Sequence, residues 1–508
     1  MENSPTHIAD DATLALLGKK QVLKRRFAFI SLFGFAVCEL ITWETVLALF
    51  AQAFSNGGPA GAIYGFMIAW ASTLSVYTVI SELASMAPIA GGQYYWVYML
   101  APAKYKTIGS YVIGWLTSLA WTATVATETL FAGTIIQGIM VLDYLGYDNK
   151  AWEGTLLTWA VIAGCIFVNV IIPAWLPRFE VFILVFHIAG FIAILVTLLV
   201  MTPELGTNAS VWQTSLNEGG WPTQGLSYCV GFLGNVATFV GADASVHLAE
   251  EVSNAALNIP RAILGAMLIN GAVGFAMMVT ILYCVGDVKS VLETATGFPF
   301  IQVFANSTNN IAGATRVPVN AVLAVTACAA LLTLIYIGSY TAFNDVISLT
   351  ITGFYGSYFL PAALLLYHRI KGNVLPRGSA VRSASLPNEK TTADAEIFAS
   401  HYDQPTLNPL QASVISTPLI WGPWHIPGIF GIINNAYACT YMVFVIFWSV
   451  WPPETPVDAS TMNYSVVVTG GVMILSAIWY FVRAKKIYRG PLIDEGVVEV
   501  MAGGTPGK

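Results

Sequence analysis

Residues 27–53 read FAFISLFGFAVCELITWETVLALFAQA, an apolar run with only two charged side chains, Glu39 and Glu44. The run exceeds the roughly 20 residues with which a helix crosses the hydrocarbon core of a bilayer. Because lipid offers the backbone no hydrogen-bond partner, such a run must be helical. Five basic residues between positions 19 and 26 directly precede it, and they predict that this end of the run faces the cytoplasm.

The same pattern recurs along the whole chain of 508 residues. Hydrophobic residues make up 56% and charged residues only 10%, and the mean hydropathy is +0.68, so the charged surface of a soluble protein is missing. The eleven apolar runs lie near residues 27–53, 61–81, 109–141, 155–173, 180–202, 225–249, 262–286, 319–337, 345–366, 428–451 and 464–483. They predict an all-α, polytopic membrane protein whose partner is the lipid bilayer, and no basic stripe indicates nucleic acid.

Polar segments divide the chain further. Residues 1–26 are predicted as a cytoplasmic N-terminal tail, residues 27–489 as the transmembrane domain and residues 490–508 as a cytoplasmic C-terminal tail. Residues 369–427 are predicted as a long cytoplasmic loop within that domain. The six cysteines are scattered singly without a Cys-x-x-Cys pair, so neither a metal site nor a disulfide framework is predicted, and no motif indicates a cofactor.

The basic residues of the loops follow the expected alternation of sides as far as the seventh run. If every run crosses once, the run near residues 345–366 ends outside, yet four basic residues between positions 369 and 382 follow it directly. One additional crossing between about Asn306 and Arg316 would remove the conflict, but no apolar run is present there. The sequence therefore predicts that one helix is missing.

Three sequons mark candidate glycosylation sites at Asn208, Asn306 and Asn463. Asn208 and Asn306 fall in loops that the charges place outside. Asn463 lies inside if each run crosses once, and outside if the additional crossing is present. The sequons thus favour the same correction of the count.

Two runs place small and polar residues at mid-membrane depth, which predicts interrupted helices. The first spans residues 34–44 of the run quoted above, and the second reads GLSYCVGFLGNVATFVGADASVHLA over residues 225–249. Unwinding there would free backbone amides and carbonyls to bind a carboxylate, a hydroxyl group or a cation. Close packing of helices on glycine is the alternative explanation of the same residues.

Ionisable side chains inside the runs are costly, so we treat them as functional candidates. Glu39 lies deeper than Glu44 and is better placed to sense a cationic group or a proton; Glu128, Asp243 and His247 complete the proton-coupling candidates. Asp243 and His247 are four residues apart and could share one helix face, where a carboxylate beside a histidine can relay a proton. A structural hydrogen bond is the alternative.

Three aromatic residues beside the predicted breaks, Trp43, Trp121 and Phe239, are candidates for cation–π contact with an ammonium group. Packing within the bundle is the commoner role of such side chains. Both explanations stay open on the sequence.

Two longer motifs resemble a known family. Residues 81–97 read SELASMAPIAGGQYYWV, and residues 247–252 read HLAEEV, with Ile259-Pro260-Arg261-Ala262 shortly after. Both resemble fungal amino acid/choline permeases of the amino acid–polyamine–organocation superfamily, at the positions that follow spans 2 and 6. The resemblance covers about residues 25–488 and is strongest to gamma-aminobutyrate and choline permeases.

The resemblance implies a five-plus-five inverted-repeat transporter fold with two extra C-terminal helices. It also implies that a solute binds between interrupted helices 1 and 6 and that the proton gradient drives uptake. The substrate-binding residues that it implies are Cys38, Glu39, Leu40, Ile41, Thr42, Trp43, Phe239, Val240, Gly241, Ala242, Asp243 and Ala244.

The chain departs from the family at one place. Family members have a full helix 8 where Thr315 is followed directly by Arg316 here. About 11 spans are therefore present where the resemblance implies 12. The count of charges locates the missing helix in the same region.

A secondary transporter for amino acids, gamma-aminobutyrate, choline or related amines, coupled to protons, is the leading hypothesis. The alternative is a non-transporting nutrient sensor or an inactive splice or deletion form, because helix 8 lines the central site in the implied fold. A membrane enzyme is disfavoured, since no second polar cluster converges with Asp243 and His247. The plasma membrane is the expected location, and an internal (vacuolar) membrane is the second choice.

Overall fold

The computed structural model describes residues 10–11, 13–15, 17–19, 21–144, 146–171, 175–308, 340–376, 419–459 and 461–491. Its helices are α1 (Phe29–Leu40), α2 (Thr42–Ala48), α3 (Phe50–Met86), α4 (Gly92–Leu100), α5 (Lys106–Asp143), α6 (Ala151–Ile166), α7 (Leu176–Met201), α8 (Asn208–Trp212), α9 (Gln224–Ala237), α10 (Ala244–His247), α11 (Ala255–Cys284), α12 (Val288–Leu292), α13 (Pro299–Thr308), α14 (Tyr340–Lys371), α15 (Gly428–Ser449), α16 (Ser465–Trp479) and α17 (Lys485–Ile487). Turns of π-helix extend α6 and α16. These residues contain no β-strand, so the all-α prediction is confirmed.

Eight helices in the described part of the chain are long and apolar enough to cross a membrane, counting α1 and α2 as one run. Two further predicted runs hold shorter helices: α6 with its π-helical extension, and the broken pair α9 and α10. The run near residues 319–337 and the predicted gap between Thr315 and Arg316 lie outside the described residues. The multi-pass architecture is thus confirmed, and the five-plus-five repeat stays a prediction.

The helices differ in how far the protein itself covers their apolar surface. In the run formed by α1 and α2, 72% of the most apolar 18-residue stretch is buried, whereas the share in α7 and α16 is 22%. Phe182, Val200 and Leu475 are more than half exposed on these two helices. An apolar surface of this extent is stable only against lipid, so α7 and α16 are peripheral and the first run is central.

Contacts between helix ends bring basic residues of several loops to one side of the bundle, which we call the basic side. Arg369 near the end of α14 pairs with Glu82 near the end of α3, with 2.5 Å between Nη2 and Oε1. His368 donates to the carbonyl of Leu100 at 2.8 Å, and the segment after α17 also contacts α4. The excess of basic residues predicts that this side faces the cytoplasm.

The other helix ends meet on the opposite side of the bundle. The amide of Tyr464 donates to Asp345 near the start of α14 at 3.0 Å, and Asn56 in α3 donates to the carbonyl of Pro453 at 3.0 Å. The hydroxyl group of Thr202, directly after α7, donates to Ser307 near the end of α13. α14 therefore runs from the opposite side to the basic side.

This course of α14 shows on which side the run near residues 345–366 ends, whereas the number of crossings between α13 and α14 lies outside the described residues. Taking each predicted run as one crossing placed the end of the run near residues 345–366 outside. The contact between Arg369 and Glu82 places that end on the basic side in the chain as it stands. The four basic residues that follow the run thus predicted its side better than the count of runs did.

The segment before α1 packs against the basic side of the bundle. Asp10 accepts a hydrogen bond from the amide of Asn254 at 2.7 Å, and Tyr95 donates to the carbonyl of Leu17 at 2.9 Å. The side chain of Leu14 is buried in the same contact region. Part of the predicted N-terminal tail is therefore ordered against the helix ends.

α3 is the central helix around which α9 and α11 pack, and glycine permits the close approach. A Cβ atom on Gly234 of α9 would lie 2.8 Å from the backbone nitrogen of Ala53. A Cβ atom on Gly271 of α11 would lie 1.9 Å from the ring of Trp70, whose Nε1 donates to the carbonyl of Met267 at 2.9 Å. Small residues at helix contacts are the usual means of tight packing in membranes.

Candidate functional site

The first apolar run is broken at Ile41. α1 ends at Leu40 and α2 begins at Thr42, while Ile41 between them has φ 34° and ψ 41°, in the left-handed region. A β-branched residue is strained there, and such strain persists only where the surroundings enforce it. Asn270 of α11 supplies part of that enforcement: its Nδ2 donates to the carbonyl of Val37 at 3.0 Å, and its Oδ1 accepts from the amide of Thr42 at 3.4 Å.

The second predicted break is also present. α9 ends at Ala237, α10 begins at Ala244, and Gly241 between them has φ +104°, a conformation that L side chains rarely adopt. The hydroxyl group of Tyr77 joins the two ends of this segment, since it donates to the carbonyl of Phe239 at 2.9 Å and accepts from the amide of Ala242 at 3.2 Å. The predicted interruption of both runs is confirmed.

The two breaks lie beside each other. A Cβ atom on Gly241 would be 3.6 Å from the carbonyl oxygen of Glu39. The hydroxyl group of Thr42 donates to the carbonyl of Thr238 at 3.0 Å, which ties the start of α2 to the second break. An irregular backbone inside a membrane domain is tolerated where protein or a cavity, rather than lipid, surrounds it.

A cavity opens at these breaks, between α1, α2, α5, α14 and the segment after α9. The predicted residues that line it are Cys38, Glu39, Leu40, Ile41, Val240 and Gly241. Trp121 and Glu128 of α5 line it as well. Half of the predicted binding set and one further proton-coupling candidate are therefore brought to one space.

The other predicted binding residues do not line this cavity. The left-handed turn at Ile41 rotates the chain, so that Trp43 faces α7 instead, with its Nε1 3.2 Å from His187 Nδ1. The ring of Phe239 packs on Phe66 with 4.9 Å between centroids. The remaining members, Thr42, Ala242, Asp243 and Ala244, are buried in the contacts around the two breaks.

The cavity wall is rich in hydrogen-bond acceptors. The hydroxyl groups of Thr45, Thr124 and Thr127 each donate to the carbonyl four residues earlier in their own helix, at 2.9 Å, so they offer only acceptor lone pairs to the cavity. Glu39 and Glu128 add two carboxyl groups, both half-buried. Among the described lining residues there is no lysine, arginine or histidine.

A third carboxyl group, that of Asp243, lies below the cavity towards the basic side and is fully buried. Its Oδ1 accepts from the hydroxyl group of Tyr358 at 2.6 Å, and its Oδ2 accepts from Nε2 of Gln93 at 2.6 Å. His247 Nε2 lies 3.6 Å from the same Oδ2, so the predicted proximity of Asp243 and His247 is confirmed. Both oxygens of this carboxylate are thus occupied by protein groups.

Trp121 connects the cavity with this buried cluster. Its ring lines the cavity, while its Nε1 donates to Nε2 of His247 at 3.3 Å. His247 in turn donates from Nδ1 to the carbonyl of Ala90 at 2.8 Å, which assigns Nε2 the acceptor role. The cluster of Trp121, His247, Asp243, Tyr358 and Gln93 therefore adjoins the cavity on its basic side.

Several site residues were missed on the sequence. Asn270, Tyr77, Tyr358 and His187 lie in other helices, far along the chain from the breaks that they stabilise, and neutral polar residues are common in helices of this kind. Gln93 could have been found, because it falls inside the motif at residues 81–97 that carried the family resemblance.

The candidate glycosylation sites differ in accessibility. Asn208 is exposed at the start of α8, on the side opposite the basic one. Asn306 is half-buried in α13, where it accepts from Gln302 at 2.9 Å. Asn463 is buried, and its Nδ2 donates to Ser348 and to the carbonyls of Ser449 and Trp451, so this burial argues against the predicted glycan.

Comparison with known sequences shows what the chain is similar to. A family model described as amino acid permease matches residues 27–339 and 297–472. Together the two matched segments extend over most of the chain. They overlap at residues 297–339, the stretch that contains the predicted gap.

The similarity to individual proteins is also distributed along the full length. An uncharacterized amino-acid permease of Schizosaccharomyces pombe is 27% identical, with 96% of this chain and 90% of that protein covered. The choline transporter of Saccharomyces cerevisiae is 24% identical, with 91% and 82% covered. The GABA-specific permease of the same yeast is 26% identical, with 97% and 88% covered.

Proposed function

Because the chain belongs to the amino acid permease family, as the motifs at residues 81–97 and 247–252 predicted, we propose that it transports a small solute with a positively charged amino or ammonium group. The membrane domain is a transporter of amino acids or amines rather than an enzyme. The solute binds in the cavity between the two helix breaks, and no covalent step is required.

One observation carries the proposal: the described residues of the cavity wall offer acceptors and carboxyl groups but no cationic side chain. Glu39 and Glu128 provide two carboxyl groups, and the hydroxyl groups of three of the four lining threonines, Thr45, Thr124 and Thr127, already donate their hydrogen bonds to backbone carbonyls. A primary ammonium group has donors and no acceptor, and a quaternary one brings positive charge without an acceptor, so both complement such a wall. A carboxylate ligand without an amino group would meet repulsion on the same wall.

Aromatic side chains support the same ligand class. Trp121 and Phe131 line the cavity together with the two glutamates. The face of an aromatic ring attracts lysine-like and quaternary ammonium ions, and the attraction is worth about 2 kcal/mol when the cation is desolvated. Trp43, Trp121 and Phe239 were the aromatic candidates for cation–π contact, and of these Trp121 lines the cavity.

The relatives carry solutes that share this group. Choline has a quaternary ammonium group, and gamma-aminobutyrate has a primary one, and the related yeast proteins are named for these two solutes. The wall of the cavity supports recognition of the cationic group that the two have in common. The remainder of the solute would then contact the backbone groups at the breaks and the threonine hydroxyls.

Transport requires that the cavity open to each side in turn. The cluster of Trp121, His247, Asp243, Tyr358 and Gln93 lies between the cavity and the basic side, and we assign it the role of the inner barrier. We further propose proton-coupled uptake at the plasma membrane, with the vacuolar membrane as the alternative that microscopy of a tagged chain would decide.

The test is uptake into liposomes that contain the purified chain. The liposomes are loaded with unlabelled choline, gamma-aminobutyrate or arginine, and the same solute is then offered outside in labelled form. Pyruvate, which lacks an amino group, is tested in the same way. We expect exchange of at least one amine and none of pyruvate. Glu39→Gln and Glu128→Gln should each lower the affinity for that amine about tenfold, which corresponds to roughly 1.4 kcal/mol.

The matched control is Glu204→Gln, which makes the same chemical change at an exposed position in the loop after α7. Amine exchange that is unaffected by both cavity substitutions would contradict the proposed site. Saturable binding of an amine without any exchange would favour the alternative of a nutrient sensor or an inactive deletion form.

A further inference from the structure

A buried pair of ionisable groups lies outside the cavity, where α2 meets α7. His187 Nδ1 is 2.7 Å from Oε1 of Glu44, and the two side chains are 0% and 2% exposed. On the sequence Glu44 was ranked below Glu39, and His187 was not considered. Neither residue lines the cavity.

The hydrogen bonds of this pair are incomplete. Within the described part of the chain, Nε2 of His187 and Oε2 of Glu44 are buried without a partner. Nδ1 of His187 also lies 3.2 Å from Nε1 of Trp43, but it can either accept from Trp43 or donate to Glu44. Buried polar atoms without partners are rare and call for an explanation.

We propose that Glu44 and His187 form the site at which the transporter binds its coupling proton. Before binding, His187 is neutral and donates its Nδ1 hydrogen to the Glu44 carboxylate, and the pair carries one negative charge. The proton adds to the free Nε2 lone pair, which gives an imidazolium–carboxylate pair with no net charge. On release the proton leaves Nε2. This site rests on the proposed transport function, for which it supplies the ion site.

The charge of the surroundings favours occupancy by a cation. The titratable side chains on the elements around the pair are Cys38 and Glu39 of α1, Lys106, Tyr111, Glu128 and Asp143 of α5, Arg178 and Glu180 of α7 itself, Arg261, Tyr283 and Cys284 of α11, and Tyr64, Tyr77 and Glu82 of α3. Arg178 and Lys106 lie in the first turns of α7 and α5, and Arg261 lies in the first two turns of α11, all towards the basic side. Glu82 is neutralised by Arg369. The charges at the depth of the pair are therefore acidic.

Glu128 links the pair with the cavity. Its carboxyl group lines the cavity and interacts electrostatically with that of Glu44. An ammonium ion bound at Glu128 and a proton bound at the pair therefore repel each other electrostatically. A buried pair with net negative charge is costly, and one added proton cancels that net charge.

The position of the pair explains how a proton could change the cavity. α2 carries both Glu44 and Thr42, and Thr42 is hydrogen-bonded to the carbonyl of Thr238 in the second break. The protonated pair attracts α2 to α7 by opposite charges, whereas the unprotonated pair retains one hydrogen bond. Proton occupancy therefore changes how firmly the outer half of the first run is held against α7.

The experiment is a pH titration of the intact chain in lipid nanodiscs with 15N-labelled histidine. The chain has only six histidines, so the signals of His187 are identified by their loss in His187→Gln. We expect the Nε2 signal of His187 to show proton uptake as the pH falls. In Glu44→Gln this change should move to lower pH by about one unit, a tenfold loss of proton affinity, because the neighbouring negative charge is gone.

Glu180→Gln is the matched control, because it removes another buried carboxyl group on the helix that carries His187. It should leave the His187 titration within about a third of a unit of that of the parent chain. His187 signals that do not change with pH, or that titrate identically in Glu44→Gln, would overturn the site.

Transport separates failure of this site from failure of the proposed function. In liposomes, Glu44→Gln and His187→Gln should keep amine exchange but lose accumulation driven by an imposed pH gradient. Accumulation that persists in both variants would overturn the proton site and leave amine transport standing. Absence of exchange in the parent chain would contradict the transport function, while the histidine titration would still decide the site.

Discussion

The cavity and the cluster beneath it use the same kind of side chain in opposite ways. Both oxygens of Asp243 are occupied at 2.6 Å, by Tyr358 and Gln93, and the side chain is fully buried. Glu39 and Glu128 face the cavity, and the described residues provide neither with a hydrogen-bond partner. A carboxylate whose capacity is filled by the protein holds structure together, whereas one left open in a cavity is available to a ligand.

The largest effect is expected from removing the satisfied carboxylate. Asp243→Ala leaves the donors of Tyr358 and Gln93 buried without an acceptor, at a cost of roughly 1–3 kcal/mol each. We expect thermal unfolding of the purified protein to occur at a clearly lower temperature. Glu39→Gln, which breaks no hydrogen bond or ion pair with a described residue, should unfold like the parent chain. Equal destabilisation by the two substitutions would remove the contrast between the regions.

A smaller effect is expected at the second break. Gly241→Ala places a side chain at φ +104°, which costs roughly 1–3 kcal/mol. Gly225→Ala in α9 is the matched control, because no atom lies within 4 Å of the added methyl group and its backbone is helical. The first variant should lose stability and amine affinity, and the control should lose neither. Parent-like behaviour of Gly241→Ala would show that the break is not enforced by this glycine.

The breaks themselves could be predicted from the sequence, and the reason is physical. Small and polar residues in the middle of two otherwise apolar runs weaken the helix there. Because lipid cannot pair with the freed backbone groups, other protein groups must pair with them. Those protein groups could not be predicted. Asn270 and Tyr77 bridge the first and second break from α11 and α3, 228 and 165 residues away from their partners Thr42 and Ala242.

The sequence also could not predict the direction in which a candidate residue faces. Thr42 and Trp43 follow Ile41 directly, but the left-handed turn at Ile41 directs them to the second break and to α7. Cys38, Glu39 and Leu40 precede that turn and face the cavity, as predicted. A break can thus be read from composition, but the rotation that it introduces depends on tertiary contacts.

Binding of neutral isosteres tests whether the cavity recognises the cationic group of a solute. Choline is compared with the neutral alcohol in which carbon replaces its nitrogen, and gamma-aminobutyrate with pentanoate, in which a methyl group replaces the ammonium group. Calorimetry on the nanodisc-embedded chain should show that at least one amine binds about a hundredfold or more tightly than its isostere, roughly 2.7 kcal/mol. Equal affinity within each pair would show that Glu39 and Glu128 do not recognise a cation.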